Sequence, residues 1–324
     1  FIHQAVEIAK SFPGTPVKLQ WTREEDQRHG FYHPTTMAKM RGSLDSQGNL
    51  TGLHMRISGQ SIIAGLMPSR LVDGMDFATF QGVVKGGINP GMDDHQIAYE
   101  FPNLTVDHAM RNPPIRPGFW RGVNVNQNAV YLECFMDEMA AAAGRDPLEF
   151  RLAHLKNSPK SAAVLKAVAQ KSGWGSGDGK SRGLALFHAF GSYVAACADV
   201  TVDGSGDLSI NRIVAATDCG TAVNPQQIEA QIEGSFVYGL SAALYGEITY
   251  ENGQVQQDNF HTYPSMRIKD MPEVHSIVMP SGGFYGGVGE PTISVAAPAV
   301  LNAIFAATGT RIRTLPLKDQ KLRA

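Results

Sequence analysis

At 324 residues the chain is about twice the length expected of one domain, so two domains or one large layered domain are the options. With 43% hydrophobic and 18% charged residues it carries enough apolar surface for a core, which excludes a disordered chain. A formal charge of −2 provides no broad basic face, which argues against nucleic acid as a partner.

The spacing predicts a helix over Phe1 to Lys10, with Ile2, Ala5, Val6 and Ala9 on one side. A helix that starts on the first residue looks like a cut end, so part of a longer protein or one half of a split subunit is expected. Pro16 to Thr22 alternates as a strand, and Met37 to Leu44 with Leu50 to Gly59 reads as a strand pair around a turn at 45–49. Residues 65–92, rich in Gly, Met and Phe, read as an irregular and partly buried loop region. Leu104 to Asn112 is a further strand, followed by a segment that its prolines keep extended, Pro113 to Gly122.

Three helices are predicted next: Asn126 to Ala143, Asp146-Pro147 to Lys156 with Asp as cap, and Ala162 to Ser172. The stretch 173–181 alternates Gly, Ser, Asp and Lys and reads as a linker. It divides a first α+β domain at 1–172 from a second at 182–324. Strands follow at Leu184 to Phe190, Ala195 to Val202 and Leu208 to Ala216. A helix then runs from Pro225 to Leu244 with Ile228, Ile232, Phe236 and Leu240 inward. Asn252-Gly253 marks a tight hairpin, and the last helix covers Pro291 to Ala307 before Gly309. Hairpins beside long helices give the fold class as α+β. The apolar stretch Thr292 to Thr308 contains Pro298 and reads as a buried helix and not as a membrane span.

Three widely spaced cysteines, Cys134, Cys197 and Cys219, contain no C-x-x-C pair, which argues against a zinc ribbon, an iron–sulfur cluster held by this chain, or a disulfide scaffold. No H-E-x-x-H is present, so a zinc enzyme of that type is disfavoured, and the full Walker spacing for a nucleoside triphosphate is absent. The most informative segment is Ser281 to Pro291, with five glycines in nine residues ahead of Glu290. Glycine lets backbone come close to a ligand, and Pro291 places Glu290 at a helix N-terminus, where an ionised carboxylate is favoured. Glu290 is therefore either a general base or simply a cap residue. Asp218-Cys219-Gly220 before Asn224-Pro225 is either a strand-to-helix turn or an anion site at a helix N-terminus. Gly234 within that helix implies that a helix or a cofactor packs closely there, since mid-helix glycine costs up to about 1 kcal/mol against Ala. Arg116 and Arg121 are surface charges or anion binders.

In order, these segments resemble the molybdenum-binding large subunit of the molybdenum hydroxylases, the xanthine dehydrogenase and aldehyde oxidase family. Gly287-Val288-Gly289-Glu290-Pro291 is similar to the family's glutamate loop beside the metal. Arg116-Pro117-Gly118-Phe119-Trp120-Arg121-Gly122 resembles the loop that approaches molybdenum. Asp218-Cys219-Gly220, Val223-Asn224-Pro225 and Gln231-Ile232-Glu233-Gly234 resemble the stretch that grips the pterin dinucleotide. Trp21 to Asp26 with His29 to Tyr32, Phe190 to Ala195 and Ala243 to Ile248 point to the branch of the isoquinoline 1-oxidoreductase beta subunit and the membrane-associated aldehyde dehydrogenases.

The resemblance implies molybdenum carried by molybdopterin cytosine dinucleotide, held by the pterin dithiolene, with no side chain of this chain as metal ligand. It implies Glu290 as catalytic base. Arg116, Phe119, Trp120, Arg121, Gly122, Cys219, Gly220, Asn224, Gln231, Gly234, Gly287, Val288 and Gly289 become cofactor-binding candidates. The implied reaction is hydroxylation of an aldehyde or N-heterocyclic carbon with water-derived oxygen, electrons leaving through [2Fe-2S] clusters, with haem or FAD, on partner chains. The family's further Gly-Gly-Phe-Gly loop is missing ahead of the first helix, so a second chain or segment is expected to supply the front half. An iron–sulfur subunit, a cytochrome c subunit and a small-molecule substrate complete the expected partners. The competing reading is a non-catalytic scaffold half that binds part of the dinucleotide and a partner chain. A flavin or nicotinamide dehydrogenase is disfavoured by the absent dinucleotide fingerprint. Substrate-pocket walls are expected from residues 60–95 and from Phe187 to Tyr193, and the branch implies a periplasmic or periplasm-facing membrane-associated location.

Overall fold

A computed structural model of the chain describes residues 1–84, 96–318 and 320–322. The expected pocket wall at 60–95 therefore lies partly outside the described residues. The chain divides into two compact units, Phe1–Gly30 with Gly246–Ser265, and Phe31–Tyr245 with Met266–Ala324.

In the smaller unit, helix α1 (Ile2–Lys10) forms as predicted, and none of its residues is buried. Residues 16–22 do not pair as a strand. Trp21 there is held by side-chain contacts: its ring meets Phe1 edge-on at 4.5 Å and its indole N–H donates to Gln4 Oε1 at 3.1 Å. Helix α2 (Arg23–His29) starts at Thr22, whose hydroxyl accepts from the Glu25 amide. Glu24 accepts from Asn259 Nδ2 at 2.6 Å, and Arg28 pairs with Asp258 at 3.0 Å.

In the larger unit, β1 (Thr36–Leu44) and β2 (Leu50–Gly59) are antiparallel, and β3 (Leu104–Met110) pairs parallel with β2. Asp45 sets the intervening turn by accepting the Gln47 and Asn49 amides at 2.8 Å. Alternation places Leu53, Met55 and Ile57 of β2 in the core. After α3 (Ile62–Leu66), three helices follow: α4 (Val125–Ala142), α5 (Pro147–Ala153, capped by Asp146) and α6 (Pro159–Ser172).

The second sheet has the order β4 (Ser181–Ala189), β5 (Ser192–Val202), β6 (Leu208–Asp218), then a strand parallel to β6 at Glu273–Val278. That last strand has only partial burial and no clean alternation, which is why periodicity misses it. Between them lie α7 (Pro225–Leu244) and the small hairpin β7 (Tyr250–Glu251) and β8 (Gln254–Val255), which belongs to the smaller unit. The parallel strand is thus β9. The hairpin turn has Asn252 at φ 50° and Gly253 at φ 78°, the pair of left-handed residues that a two-residue hairpin requires.

The stretch 173–181, read as a linker, is a folded turn inside the larger unit. Four of its glycines take φ near 70–75°, and Arg182 ties it down through the Gly173 carbonyl and Asp178. Helix α6 before it packs on β5 and β6 after it. The compact units therefore separate elsewhere, where the 246–265 excursion joins residues 1–30.

The last helix is not uniform. Pro291–Val295 is a 3₁₀ turn, and α8 proper is Ala296–Thr308, closed by Gly309 at φ 72°. Pro298 has no N–H to offer Ser294, so the regular ladder cannot extend back to Pro291. This helix is apolar and long, and most of it is buried inside the fold, as the sequence predicts. It lies so close to β4 that a Cβ on Gly183 would collide with the backbone of Ala299, Asn302 and Ala303. A fully buried ion-pair cluster locks the layers behind it: Arg151 Nε meets Glu133 at 3.0 Å, Tyr99 donates to Glu133 at 2.7 Å, and the Leu186 amide completes the carboxylate.

Candidate functional site

The loop after β9, residues 279–290, returns toward the start of α7 and ends at Glu290. That residue stands at the cap position of the 3₁₀ turn, yet its side chain caps nothing. Its Oε1 instead accepts the Gly122 N–H at 3.0 Å, 168 residues away in sequence. The side-chain cap that its position allows is thus not formed. Gly122 is buried with φ 93°, a conformation that glycine adopts freely, and a Cβ there would press on Asn126 Oδ1 and on Ile293 Cγ2.

Arg121 makes the reverse connection. Its Nε donates to the Gly289 carbonyl, and its Nη2 reaches Gln231 O and Gln231 Oε1 at 3.0 Å and Ser235 Oγ at 2.9 Å. The guanidinium also lies over the Tyr238 ring at 5.6 Å. Burial lowers the Arg121 pKa while Tyr238 and Glu290 attract its charge, and an arginine keeps that charge at any working pH. The nearest atom to a Cβ built on Gly234 is Arg121 Nη1 at 3.6 Å, an ordinary contact, so the guanidinium is its neighbour but does not by itself require glycine there. Six of the predicted residues therefore meet in one place: Arg121, Gly122, Gln231, Gly234, Gly289 and Glu290.

A second group braces the loop. Gly220, at φ 77°, fits against the Phe284 carbonyl where any Cβ would collide, and the Gly286 amide donates to Cys219 O at 2.7 Å. Thr221 Oγ1 donates to Gly283 O at 2.7 Å, and buried Asp218 collects the Gly220 amide at 2.9 Å and Ser281 Oγ at 2.8 Å. On the other side the Gly287 N–H donates to Phe190 O at 2.7 Å, and the Gly287 carbonyl accepts from Ser192 Oγ at 2.6 Å. Val288 packs partly against the core. Much of the glycine content in 282–287 thus serves loop-against-loop packing. Cys219 is buried, and burial raises its thiol pKa, as it does for Cys134 and, to about 11, for Cys197.

The remaining candidates sit apart from this cluster. Asn224 caps α7 by accepting the Gln227 amide at 3.2 Å, the helix-entry role that its sequence position allows. Arg116 is exposed over the Phe31 ring, Phe119 is exposed, and Trp120 meets His33 edge-on at 5.8 Å. Sequence reasoning missed Ser235 and the Asp218–Ser281 brace. The aspartate was visible in its motif, but its partner depends on a loop return that no local pattern encodes. Among the described residues, no group of three or more His, Cys, Asp or Glu side chains could hold a metal ion.

Comparison with known proteins follows the same lines. The model of the molybdopterin cofactor-binding domain matches residues 122–272. The beta subunit of isoquinoline 1-oxidoreductase from Brevundimonas diminuta is 30% identical over 94% of this chain and 39% of its own length. A nicotinate dehydrogenase subunit from Pseudomonas putida is 29% identical over 95% of this chain and 27% of its own. Aldehyde oxidoreductase from Desulfovibrio gigas shares the fold at a TM-score of 0.75 and 15% identity, over 98% of this chain and 52% of that one. The chain therefore spans well under half the length of these two curated relatives. The domain match and the relatives support a molybdenum hydroxylase subunit, and the structural neighbour shows the same fold.

Proposed function

We propose that the chain supplies the proton-handling wall of a molybdenum hydroxylase site that oxidises an aldehyde or an N-heterocyclic carbon, with Glu290 as general base. The observation that carries this reading is the half-buried Glu290 carboxylate, presented by one backbone N–H beside backbone that has no side chains of its own. A Cβ on Gly289 would find nothing nearer than Gln231 Oε1 at 3.8 Å, and Gly234 offers similar room beside Arg121. That cradle, with a guanidinium on its edge, fits a planar anionic pterin. Arg121, Gln231, Gly234 and Gly289 would hold it, and Gly122, Cys219, Gly220, Asn224, Gly287 and Val288 would shape the surrounding loops. Arg116, Phe119 and Trp120 sit apart from the cluster but precede Gly122 in the chain, and the resemblance alone assigns them to the same cofactor surface.

When bound, the molybdenum cofactor supplies two-electron redox chemistry and a water-derived oxygen, while the protein supplies binding and proton transfer. Glu290 would accept a proton on its free oxygen while Oε1 stays on the Gly122 amide. Arg121, anchored to α7 through Nη2 and to the loop through Nε, would hold the loop and add positive charge at its edge. The names of the relatives favour an aldehyde or an N-heterocycle as substrate class. The cytosine dinucleotide form, an iron–sulfur partner with haem or FAD beyond it, a further chain or segment completing the site, and a periplasmic setting extend the same reading.

The test is Glu290→Gln in the intact complex. The fold and the molybdenum content are expected to persist while turnover falls by at least about a hundredfold, the scale of a lost general base. Turnover within tenfold of the parent would overturn the base assignment. The share of each relative that this chain leaves uncovered favours a second reading, a scaffold half. Molybdenum analysis of the chain alone and with its partners separates the two, since metal in neither sample supports the scaffold.

A further inference from the structure

We propose that Ser235, on α7, is a positioning residue for Glu290 that acts by seating Arg121; the inference rests on Glu290 being the base. Ser235 is fully buried, and its hydroxyl works in two directions. It donates to the Gln231 carbonyl one turn back at 2.7 Å and accepts from Arg121 Nη2 at 2.9 Å. Donating backwards leaves the oxygen lone pair facing the arginine. The orientation of the acceptor is therefore set by the helix and not by the guanidinium.

Arg121 and Gly122 face Gly289 and Glu290 through two crossed bonds. The side chain of residue 121 holds the backbone oxygen of residue 289, and the backbone nitrogen of residue 122 holds the side chain of residue 290. Neither bond can shift without moving the other, because both donors belong to adjacent residues and both acceptors do too. The guanidinium plane is consequently the element that sets where the carboxylate stands. Three acceptors on α7 define that plane at Nη2. Of the two side-chain acceptors, Gln231 Oε1 is exposed and carries rotamer entropy, while the Ser235 hydroxyl is buried and already oriented; the third, the Gln231 carbonyl, is fixed by the helix and is shared with Ser235 Oγ. Gly234 leaves room for the Nη1 end. A serine in mid-helix that merely bonded back to residue i−4 would be replaceable by alanine at little cost. This one also receives a cation.

The experiment uses Ser235→Ala and Arg121→Lys in the full cofactor-loaded complex. It reads amide hydrogen exchange, molybdenum content, kcat and KM. For S235A, exchange at Gly122 and across 287–290 should rise about fivefold, the factor carried by one net hydrogen bond. Exchange in β4–β6 and the metal content should stay unchanged, and kcat should fall about fivefold at constant KM. R121K, whose ammonium cannot span the same acceptors, should raise exchange at Gly122 and 287–290 further; because Arg121 is also assigned to the cofactor surface, its exchange and not its kcat carries the test if S235A fails to fold. Unchanged exchange at Gly122 and 287–290 would overturn the proposal. Faster exchange with unchanged kcat would uphold the seat and count against Glu290 as base, so the two readings fail separately.

Discussion

Gly122 donates its backbone N–H to the Glu290 carboxylate at 3.0 Å, across 168 residues of sequence. This bond ties the end of the proline-rich segment to the end of the glycine-rich loop, and it requires both a left-handed backbone at residue 122 and a carboxylate freed from capping at residue 290.

Gly122→Ala should be costly on two counts, the positive φ and the press of its Cβ on Asn126 and Ile293. A loss of about 1–3 kcal/mol is expected, with reduced turnover in whatever folds. Chemical denaturation of the variant measures the first; a change within experimental error would show that the Gly122 conformation is not needed.

Gly234→Ala should be tolerated by the fold. The new Cβ meets Arg121 Nη1 at 3.6 Å, an ordinary contact, and helix propensity improves by up to about 1 kcal/mol. A stable protein that retains less molybdopterin would place the cofactor over this glycine. Undiminished retention would remove Gly234 from the cofactor surface.

Gly183→Ala should destabilise the larger unit by about 1–3 kcal/mol or more, because backbone atoms of Ala299, Asn302 and Ala303 occupy the space and α8 would have to move off β4. Thermal unfolding checks this directly. A Tm unaffected by the substitution would mean that the helix and the strand can part without cost.

His33 gives a pH dependence. Its ring nitrogen bonds Val123 O at 3.0 Å and it packs on Trp120, while burial lowers its pKa below 6.5. The folded chain thus favours the neutral imidazole, and the unfolded chain takes up the proton first as pH falls. Its stabilisation is complete above pH 6.5 and is lost as pH drops through that value toward the lowered one. Denaturation midpoints between pH 7.5 and about 5 should fall, and His33→Gln should flatten the slope. An identical slope in the variant would assign the effect to other groups.

How far the fold was legible depends on where each signal lives. Helix α7 begins and ends where Asn224-Pro225 and the Ile228–Ile232–Phe236–Leu240 spacing put it, because capping chemistry and a buried stripe are local properties. The hairpins at 45–49 and 252–253 were readable from turn residues for the same reason. Strand β9 was not, since a parallel edge strand has no alternation of its own and exists through β6. The 173–181 turn shows the converse: its composition suggests a linker, but Arg182 and the packing of α6 on β5 and β6 make it internal.

The sequence by itself determined that a glycine-rich loop delivers Glu290 to the start of the last helix, while only the family resemblance grouped Arg121, Gln231 and Gly234 with it. Only the tertiary structure decided what they do to one another. Arg121 spends most of its donors on Gly289, Gln231 and Ser235, Gly234 makes room for it, and Gly122 holds the carboxylate. Hydrogen bonds between segments more than a hundred residues apart depend on how sheets and helices stack, and no local propensity records that stacking.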